Sequence, residues 1–420
     1  MSGDKVRVVH AADIHLDSPL HGLGRLSDED LANRLRLATR GAFDNLVDHC
    51  LHTKPDALVL AGDLYDGDWR DYSTGVYFTT RMRDLADAGI PVVLVQGNHD
   101  AESVISRSLT LPPNVTRLRT DEPETHVLDD AGLAFHGQGF ATKAVTANLA
   151  VAYPNPIPGL VNVGVLHTSV QGYENHDPYA PCTVADLTGK GYEYFALGHV
   201  HARQQLATGR TAVAFSGNLQ GRHPRETGPK GAWEVLLTPG GEAAMDFIPL
   251  DVARWDALEV DVSAAVDEAA AFDLVDARVG LAREGAGDRP VVARIRLVGA
   301  NALAGLLADP DRVGHEIRPR AARHEVAVDR IMSDVVAPPD RRQMARGQRA
   351  LLEAGIAAIL ADPAALRRDP SLKPDLDALV GEVNQLTRGV ELDLSATDVF
   401  AGLVAEACQR LIAQADGGQL

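Results

Sequence analysis

Cysteine is nearly missing from this sequence. Cys50, Cys182 and Cys408 are odd in number and share no metal or disulfide spacing. This excludes a disulfide scaffold and a thiolate zinc site, and it fits a reducing, cytoplasmic setting. Long apolar runs are missing too. No stretch approaches the ~20 residues of a membrane helix. The apolar run at residues 6–12 is broken by Arg7 and His10, so no secretory leader is expected. Positive charge is in deficit, with 40 Lys and Arg against 58 Asp and Glu and a formal net charge of −18. Such a chain lacks the general basic surface of a nucleic-acid binder. A local basic patch would have to compensate, and bound divalent cations would offset charge within a site. No G-x-x-x-x-G-K-[ST] run is present, so no ATP-binding P-loop is expected. Repeats and low-complexity tracts are absent.

What is there is ordinary for a soluble globular protein: 45% hydrophobic and 23% charged residues over 420 positions, too many for one core. Two or three domains are expected. KVRVVHAAD, DALVLAGD (56–63) and PVVLVQGNHD (91–100) read as strands. Ser27-Asp28-Glu29-Asp30 reads as a capping box opening a helix with Leu31, Leu35, Leu46, Val47 and Cys50 inward, and 73–88 as a second helix. Strands alternating with helices indicate βαβ units. Beyond residue 130, strand-like runs dominate up to WEVLLTPGGEAAMDFIPL, so residues 1–250 form one domain with two sheet-forming halves. Residues 253–337 read as a β-α-β-α-β module with helices at 264–283 and 302–318, closed by Pro338-Pro339. Residues 340–420 read as helical, with helices at 341–361 and 373–387 and an apolar stripe through Val399, Phe400, Leu403, Val404, Ala407, Cys408, Leu411 and Ile412. That stripe suits either core packing or docking on a partner.

Five strand-like runs finish in Asp, Asn or His: Asp13-Ile14-His15, Gly62-Asp63, Gly97-Asn98-His99-Asp100, His167 and Gly198-His199-Val200-His201. In open α/β sheets, sites gather outside the carboxyl ends of strands. Oxygen and imidazole donors without thiolate suit Mn²⁺, Fe or Zn²⁺. Asp13, His15, Asp63, Asn98, His167, His199 and His201 are too many donors for one ion. They suit a pair sharing Asp63, which would clamp the attacking and leaving oxygens of a displacement at phosphorus. In an extended strand, residues i and i+2 point the same way, so Asp13 with His15, and His199 with His201, should each aim at one ion. Gly62, Gly97 and Gly198 would let the chain turn sharply there. A lone D-x-H or GD carries little weight, GNHD and GHxH are each moderately specific, and the ordered set is hard to reach by chance.

The order D-x-H, GD, GNHD, H, GHxH resembles that of the calcineurin-like metallophosphoesterases. ADIHLDSP and SGNLQGRHPRETGPKG resemble the bacterial DNA-repair exonucleases of the SbcD and YhaO type. The resemblance covers about residues 6–235, and 253–337 matches that family's capping domain in size and place. It implies an α/β fold, an α+β four-layer sandwich, with a smaller α/β capping domain and a helical C-terminal region. It implies one ion on Asp13, His15 and His201, a second on Asn98, His167 and His199, and Asp63 as bridge. It also implies His99 facing the scissile phosphate, Asp100 orienting His99 through a hydrogen bond, and a water activated by the metals as nucleophile. A homodimer working with an SbcC/Rad-type coiled-coil ATPase is implied as well, with the C-terminal helices as candidates for docking.

Asp17, Ser18 and His21 read as turn residues or as the substrate mouth. Arg222, His223, Arg225 and Lys230 form a cationic loop, either solvated or contacting the DNA backbone. His49, His52, His126, His136 and His176 match no motif and read as structural. The expected activity is a two-metal DNA phosphodiesterase, a 3′→5′ exonuclease with endonuclease activity. A phosphatase or cyclic-nucleotide phosphodiesterase with the same centre, and a non-catalytic adaptor of the ATPase, stand as alternatives.

Overall fold

The computed structural model describes residues 5–18, 35–66, 72–102, 109–170, 179–337, 346–386 and 396–416. Ser27-Asp28-Glu29-Asp30, Leu31, His21, His176 and Pro338-Pro339 lie outside them. Strands β1 (Val6–Ala11), β2 (Ala57–Ala61), β3 (Val92–Val95) and β4 (Val115–Arg117) pair in parallel. Helices α1 (Ala38–Thr53), α2 (Tyr72–Asp87) and α3 (Asn98–Glu102) lie between them in the chain. On the other side of β1, β11 (Gly231–Leu237) and β12 (Ala244–Pro249) complete a six-stranded sheet with antiparallel pairing. The second six-stranded sheet has the order β5 (Glu124–Leu128), β6 (Leu133–Gly137), β7 (Val161–His167), β8 (Tyr194–Gly198), β10 (Ala212–Phe215), β9 (Gln204–Ala207), with α4 (Val184–Thr188) preceding β8.

The period of two along each strand decides the layers. Val8, Val59, Val93 and Val95 face the second sheet, among Phe135, Val163, Val165, Tyr194 and Ala196. Their neighbours Val9, Leu58, Leu60, Val92 and Leu94 face Phe43, Leu46 and Val47 of α1 and Phe78, Met82 and Leu85 of α2. Phe195, Leu197, Val213 and Phe215 cover the far side of the second sheet under Tyr153, Tyr192 and Leu187 of α4. Each such side chain contributes about 1.5–3 kcal/mol on burial. This is the four-layer α/β sandwich expected from the resemblance. His10 is the one polar residue of β1 inside it. Its Nδ1 lies 2.7 Å from the Tyr194 hydroxyl and its Nε2 3.2 Å from the Leu197 carbonyl. Burial pushes this imidazole down to about 3, so it is neutral.

A third sheet has the order β13 (Arg254–Asp261), β14 (Val291–Val298), β15 (Val326–Ser333), with helices α5 (Glu268–Ala286), α6 (Ala304–Leu307) and α7 (Pro310–Arg323) between its strands. The helix expected at 264–283 starts later because Asp267 Oδ1 accepts the Ala270 N–H at 2.8 Å and acts as its cap. The helix expected at 302–318 is split for a related reason. Asp309 caps Asp311 and Arg312, and Pro310 takes the first turn. Helices α8 (Arg346–Ala361), α9 (Ala364–Arg368), α10 (Lys373–Leu386) and α11 (Thr397–Asp416) end the described chain. Phe400, Val404 and Cys408 of α11 are buried with Ile356, and Ile412 packs against them, while Leu403 and Leu411 stay outside. Three of the eight stripe residues are therefore core with Ile412 packed against them, while Leu403, Ala407 and Leu411 are exposed. By its internal contacts the chain divides into two units: residues 1–257 with 281–294 and 324–329, and residues 258–280 with 295–323 and 330–420. No helix among the described residues is long and apolar enough to cross a membrane.

Candidate metal centre

The segments that follow β1 and β2 run on side by side past the sheet. Asp13 N donates to the Gly62 carbonyl at 3.0 Å, His15 N to Asp63 at 3.0 Å and Leu16 N to Leu64 at 2.9 Å. Asp13, His15, Asp17 and Asp63 have φ of 50°, 45°, 61° and 51°, and His199 has 107°. This corrects the extended-strand reading of Asp13-x-His15 and His199-x-His201. β1 ends at Ala11 and β8 at Gly198. Asp13, His15, Asp63 and His199 sit on loops with positive φ, which Asp and His tolerate better than most residues and which persists where surrounding bonds enforce it. Ile14 and Leu16 turn instead into the core under α1 and α2.

His199 and His201 therefore part company. Asp13, His15 and His201 form one cluster of donors, and Asp63, His167 and His199 another, with donor atoms in each within 4.8 Å of one another. Asn98 joins the second, its Oδ1 2.9 Å from His167 Nε2. His199 N also donates to both Asp13 carboxylate oxygens, at 2.9 and 3.0 Å. Asn98 and His99 do not end a strand as expected. β3 stops at Val95, and Asn98 opens α3, so that His99 N donates to Asp63 Oδ1 at 3.0 Å.

Glycine serves differently from the expectation at two of its three positions. Gly62 has φ +96°, which a side chain would oppose. Gly97 and Gly198 have no such conformation. A Cβ on Gly97 would strike the Asp63 carboxylate, and one on Gly198 would strike the Ala61 carbonyl. Close approach is their reason.

Three of the four donor histidines, His15, His167 and His201, are fixed through their other nitrogen. His15 Nδ1 lies 2.5 Å from Asp66 Oδ1 and His201 Nδ1 2.6 Å from Glu226 Oε1, so both Nδ1 atoms donate to carboxylates. Their two Nε2 atoms, each left with a lone pair, face one another at 3.2 Å. His167 differs, because the Asp63 carboxylate keeps its ring protonated. Its Nδ1 faces the Ala61 carbonyl at 3.0 Å, and its Nε2 faces the acceptors Asn98 Oδ1 at 2.9 Å and Asp63 Oδ2 at 3.3 Å. Lone pairs turned on one another are costly in a buried site unless a cation lies between them. The donor set thus fits two divalent ions.

The electrostatics agree. Burial opposes the charge of Asp63, yet His167, with His15 and His99, outweighs it and holds the carboxyl below its usual range. Burial likewise opposes charge on His167, but Asp63 raises it to about 9. Burial, then Arg222, lowers His15 to about 4, so it is neutral. Burial raises the Asp13 carboxyl. Asp66 and Glu226 are held low against burial, Asp66 by His15 and Arg222 and Glu226 by His201 and Arg222. Edge-on rings line the second cluster, Phe140 5.5 Å from His167 and Tyr179 5.4 Å from His199.

Several expectations need correction. Asp100 does not hold the His99 ring. Its carboxylate accepts the Leu64, Tyr65 and Gly97 amides at 3.0 to 3.2 Å and binds the loops after β2 and β3 together. Burial and nearby Asp63 raise it to about 7. The His99 ring instead lies 5.1 Å from His15, its Nδ1 3.9 Å from Asp66. Lys230 is buried, its Nζ donating to the His201 carbonyl at 2.9 Å, so it supports the site and does not meet DNA. Arg222 donates to Ser18 Oγ at 2.9 Å and Asp66 at 3.2 Å beside the cluster, and Arg225 alone of the three is exposed. Asp17 is held by Arg40 at 2.5 Å and by Thr74, a structural post. His49 and His136 make structural bonds, to Glu234 and to Asn162. Asp66 and Glu226 were missed. Asp66 sits three places after Asp63, a spacing that could have flagged it, whereas Glu226 is reached only through the fold.

Residues 6–203 match the calcineurin-like phosphoesterase family and residues 255–336 the middle domain of the metallophosphoesterase YhaO. The chain is 33% identical over 271 residues to a protein of Bacillus subtilis (strain 168) described as an uncharacterized metallophosphoesterase YhaO. That match covers 64% of this chain and 66% of the relative, just under two thirds of its length. Among solved structures, the TT1561 protein of Thermus thermophilus is 12% identical with TM-score 0.33, covering 59% of this chain and 99% of that one. A dimetal phosphatase from Danio rerio is 13% identical with TM-score 0.34, covering 58% and 98%. The family match falls on the very segment that supplies the clustered aspartates and histidines: residues 6–203 are a calcineurin-like metallophosphoesterase domain, followed in the chain by a YhaO-type middle domain over 255–336.

Proposed function

We propose that this protein is a dimetal phosphoester hydrolase acting on DNA, a 3′→5′ exonuclease with endonuclease activity. The observation that carries the metal chemistry is the pair of Nε2 lone pairs of His15 and His201 turned on each other at 3.2 Å with both Nδ1 atoms committed to carboxylates. Asp13, His15 and His201 would hold one ion, Asn98, His167 and His199 the other, and Asp63 would bridge. Two divalent ions, of which Mn²⁺ is the candidate, supply Lewis acidity at phosphorus and lower the pKa of the attacking water. The chain's own residues do the rest. Asp66 and Glu226 keep the imidazoles aimed. Phe140, buried against His167, keeps bulk water from the back of the site. His99, part exposed at the edge of the cluster, would assist the leaving group or the transition state. Arg225 is the described cation of the 222–230 loop that is open to a DNA backbone. The resemblance to SbcD and YhaO supports the DNA substrate, a homodimer and a coiled-coil ABC-type ATPase partner.

A second reading, hydrolysis of a small phosphoester such as a cyclic nucleotide, is favoured by the net charge of −18 and by the burial of Lys230. One assay separates them. Purified protein with Mn²⁺ is offered linear duplex DNA, bis-p-nitrophenyl phosphate and a cyclic nucleotide. Degradation of the DNA is expected. Hydrolysis of the small esters with the DNA left intact would sink the nuclease reading, and no turnover of any substrate would leave the adaptor role.

A further inference from the structure

We propose that Glu226 is a positioning residue of the metal centre: one carboxylate fixes the His201 imidazole and, with its other oxygen, locks Arg222 against Asp66. This rests on the dimetal reading above. His201 lies three positions beyond the end of β8, and its ring is part exposed, so its own strand does not hold it. The 216–230 segment holds it instead. Glu226 Oε1 takes the Nδ1 proton at 2.6 Å, and Lys230 Nζ grips the His201 carbonyl at 2.9 Å. Glu226 Oε2 accepts the Arg222 amide at 2.6 Å and Asn218 Nδ2 at 3.0 Å. The segment is itself tightly set. A Cβ on Gly221 would meet the Glu226 carbonyl at 2.7 Å and the Trp255 ring at 3.0 Å, and Trp255 Nε1 donates to the Gly221 carbonyl at 3.0 Å.

The bonds close into a ring. Arg222 Nη1 reaches Asp66 at 3.2 Å, Asp66 holds His15 Nδ1 at 2.5 Å, and the two Nε2 atoms meet at 3.2 Å. One carboxylate per histidine forces both imidazoles into the same tautomer, so both lone pairs converge on a single point. The other cluster is built differently, because His167 Nδ1 is held by the neutral carbonyl of Ala61. Loss of the Glu226 charge therefore acts on one ion and spares the other.

The test is a Mn²⁺ titration of wild type and Glu226→Gln, with free ion read by electron paramagnetic resonance and thermal unfolding of both proteins recorded in chelator. Gln keeps the size and one acceptor. Wild type should take up two ions. In the variant one binding event should weaken about 10–100-fold, the usual effect of removing a carboxylate behind a histidine ligand, while the other event and the unfolding midpoint hold. Equal weakening of both events together with a lowered midpoint shows a scaffold role and overturns the proposal, as does an unchanged titration. A second measurement does not need the variant: ¹⁵N shifts of metal-free wild type at mildly alkaline pH should place the His201 proton on Nδ1, and a proton on Nε2 overturns the proposal. Wild type that binds no Mn²⁺ while showing the Nδ1 tautomer would remove the dimetal reading itself, and the metal role of Glu226 with it.

Discussion

His10 offers a direct measure of how dry the interior between the two sheets is. It is fully buried, with Tyr194 donating to Nδ1 and Nε2–H donating to the Leu197 carbonyl. Burial lowers its pKa from 6.5 to about 3. In the unfolded chain the imidazole takes a proton as pH falls through 6.5, while the folded chain refuses it until about 3. Its contribution to stability is therefore full above the unfolded value and is lost as pH falls below it. From about pH 7 to about pH 5 the loss is about 2 kcal/mol, at 1.36 kcal/mol per unit. His15, at about 4, acts in the same sense, and Asp100, at about 7, in the opposite sense. The comparison must therefore be between wild type and His10→Gln, in which those groups cancel. Both proteins would be unfolded in urea in the presence of chelator, followed by tryptophan fluorescence, at the two pH values. Whatever the substitution costs at neutral pH, that cost should shrink by about 2 kcal/mol in acid. Parallel profiles would mean that the site between the sheets is wet or that His10 is protonated there.

Other perturbations test the site. Gly198→Ala should cost at least about 1–3 kcal/mol by overpacking, because its Cβ meets the Ala61 carbonyl and lies 3.0 Å from Ala12 Cβ; urea midpoints with Mn²⁺ uptake would record both the loss and the displaced histidines. Asp100→Ala should weaken Mn²⁺ uptake along with activity, since it frees the Leu64 and Gly97 amides; activity loss with intact uptake would restore an action through His99. Arg225→Gln should lower the slope of DNA affinity against salt by about one, whereas Lys230→Gln should leave that slope alone and lower stability. Mn²⁺ binding near neutral pH should release about one proton, because His167, raised to about 9 by Asp63, must give one up; calorimetry in buffers of different ionisation enthalpy reads the number, and zero would contradict the protonated ring.

The strands that carry the site were legible because they are buried on both faces and read as near-continuous apolar runs, as ALVLA does in β2. The edge strands β4, β5 and β9 were not, because VTR, ETHVL and QQLA are short and partly exposed and lack that signature. The seven donors could be named from their types and order, but the way they converge could not. Left-handed backbone at Asp13, His15 and Asp63 is a tertiary product of hydrogen bonds between two loops. Lys230 misled because a lysine among Arg222, His223 and Arg225 reads as a surface patch, and only the fold shows that its amine turns inward to His201.

The contact between Gly198 and the Ala61 carbonyl has a mechanical meaning. Stacked sheets ordinarily stand about 10 Å apart with side chains between them, yet here β2 and β8 belong to opposite sheets and touch backbone to backbone at one end. The donors stand beside this close approach, Asp63 two residues after Ala61 and His199 one after Gly198. Asp13 and Asp63 follow strands of one sheet, and His167 and His201 belong to strands and loops of the other. Ions held there would act as rivets between the two sheets, joining positions 186 residues apart in the case of His15 and His201. A ligand that binds only the folded form raises stability with its concentration. Metal content would then govern the stability of the fold as well as its chemistry.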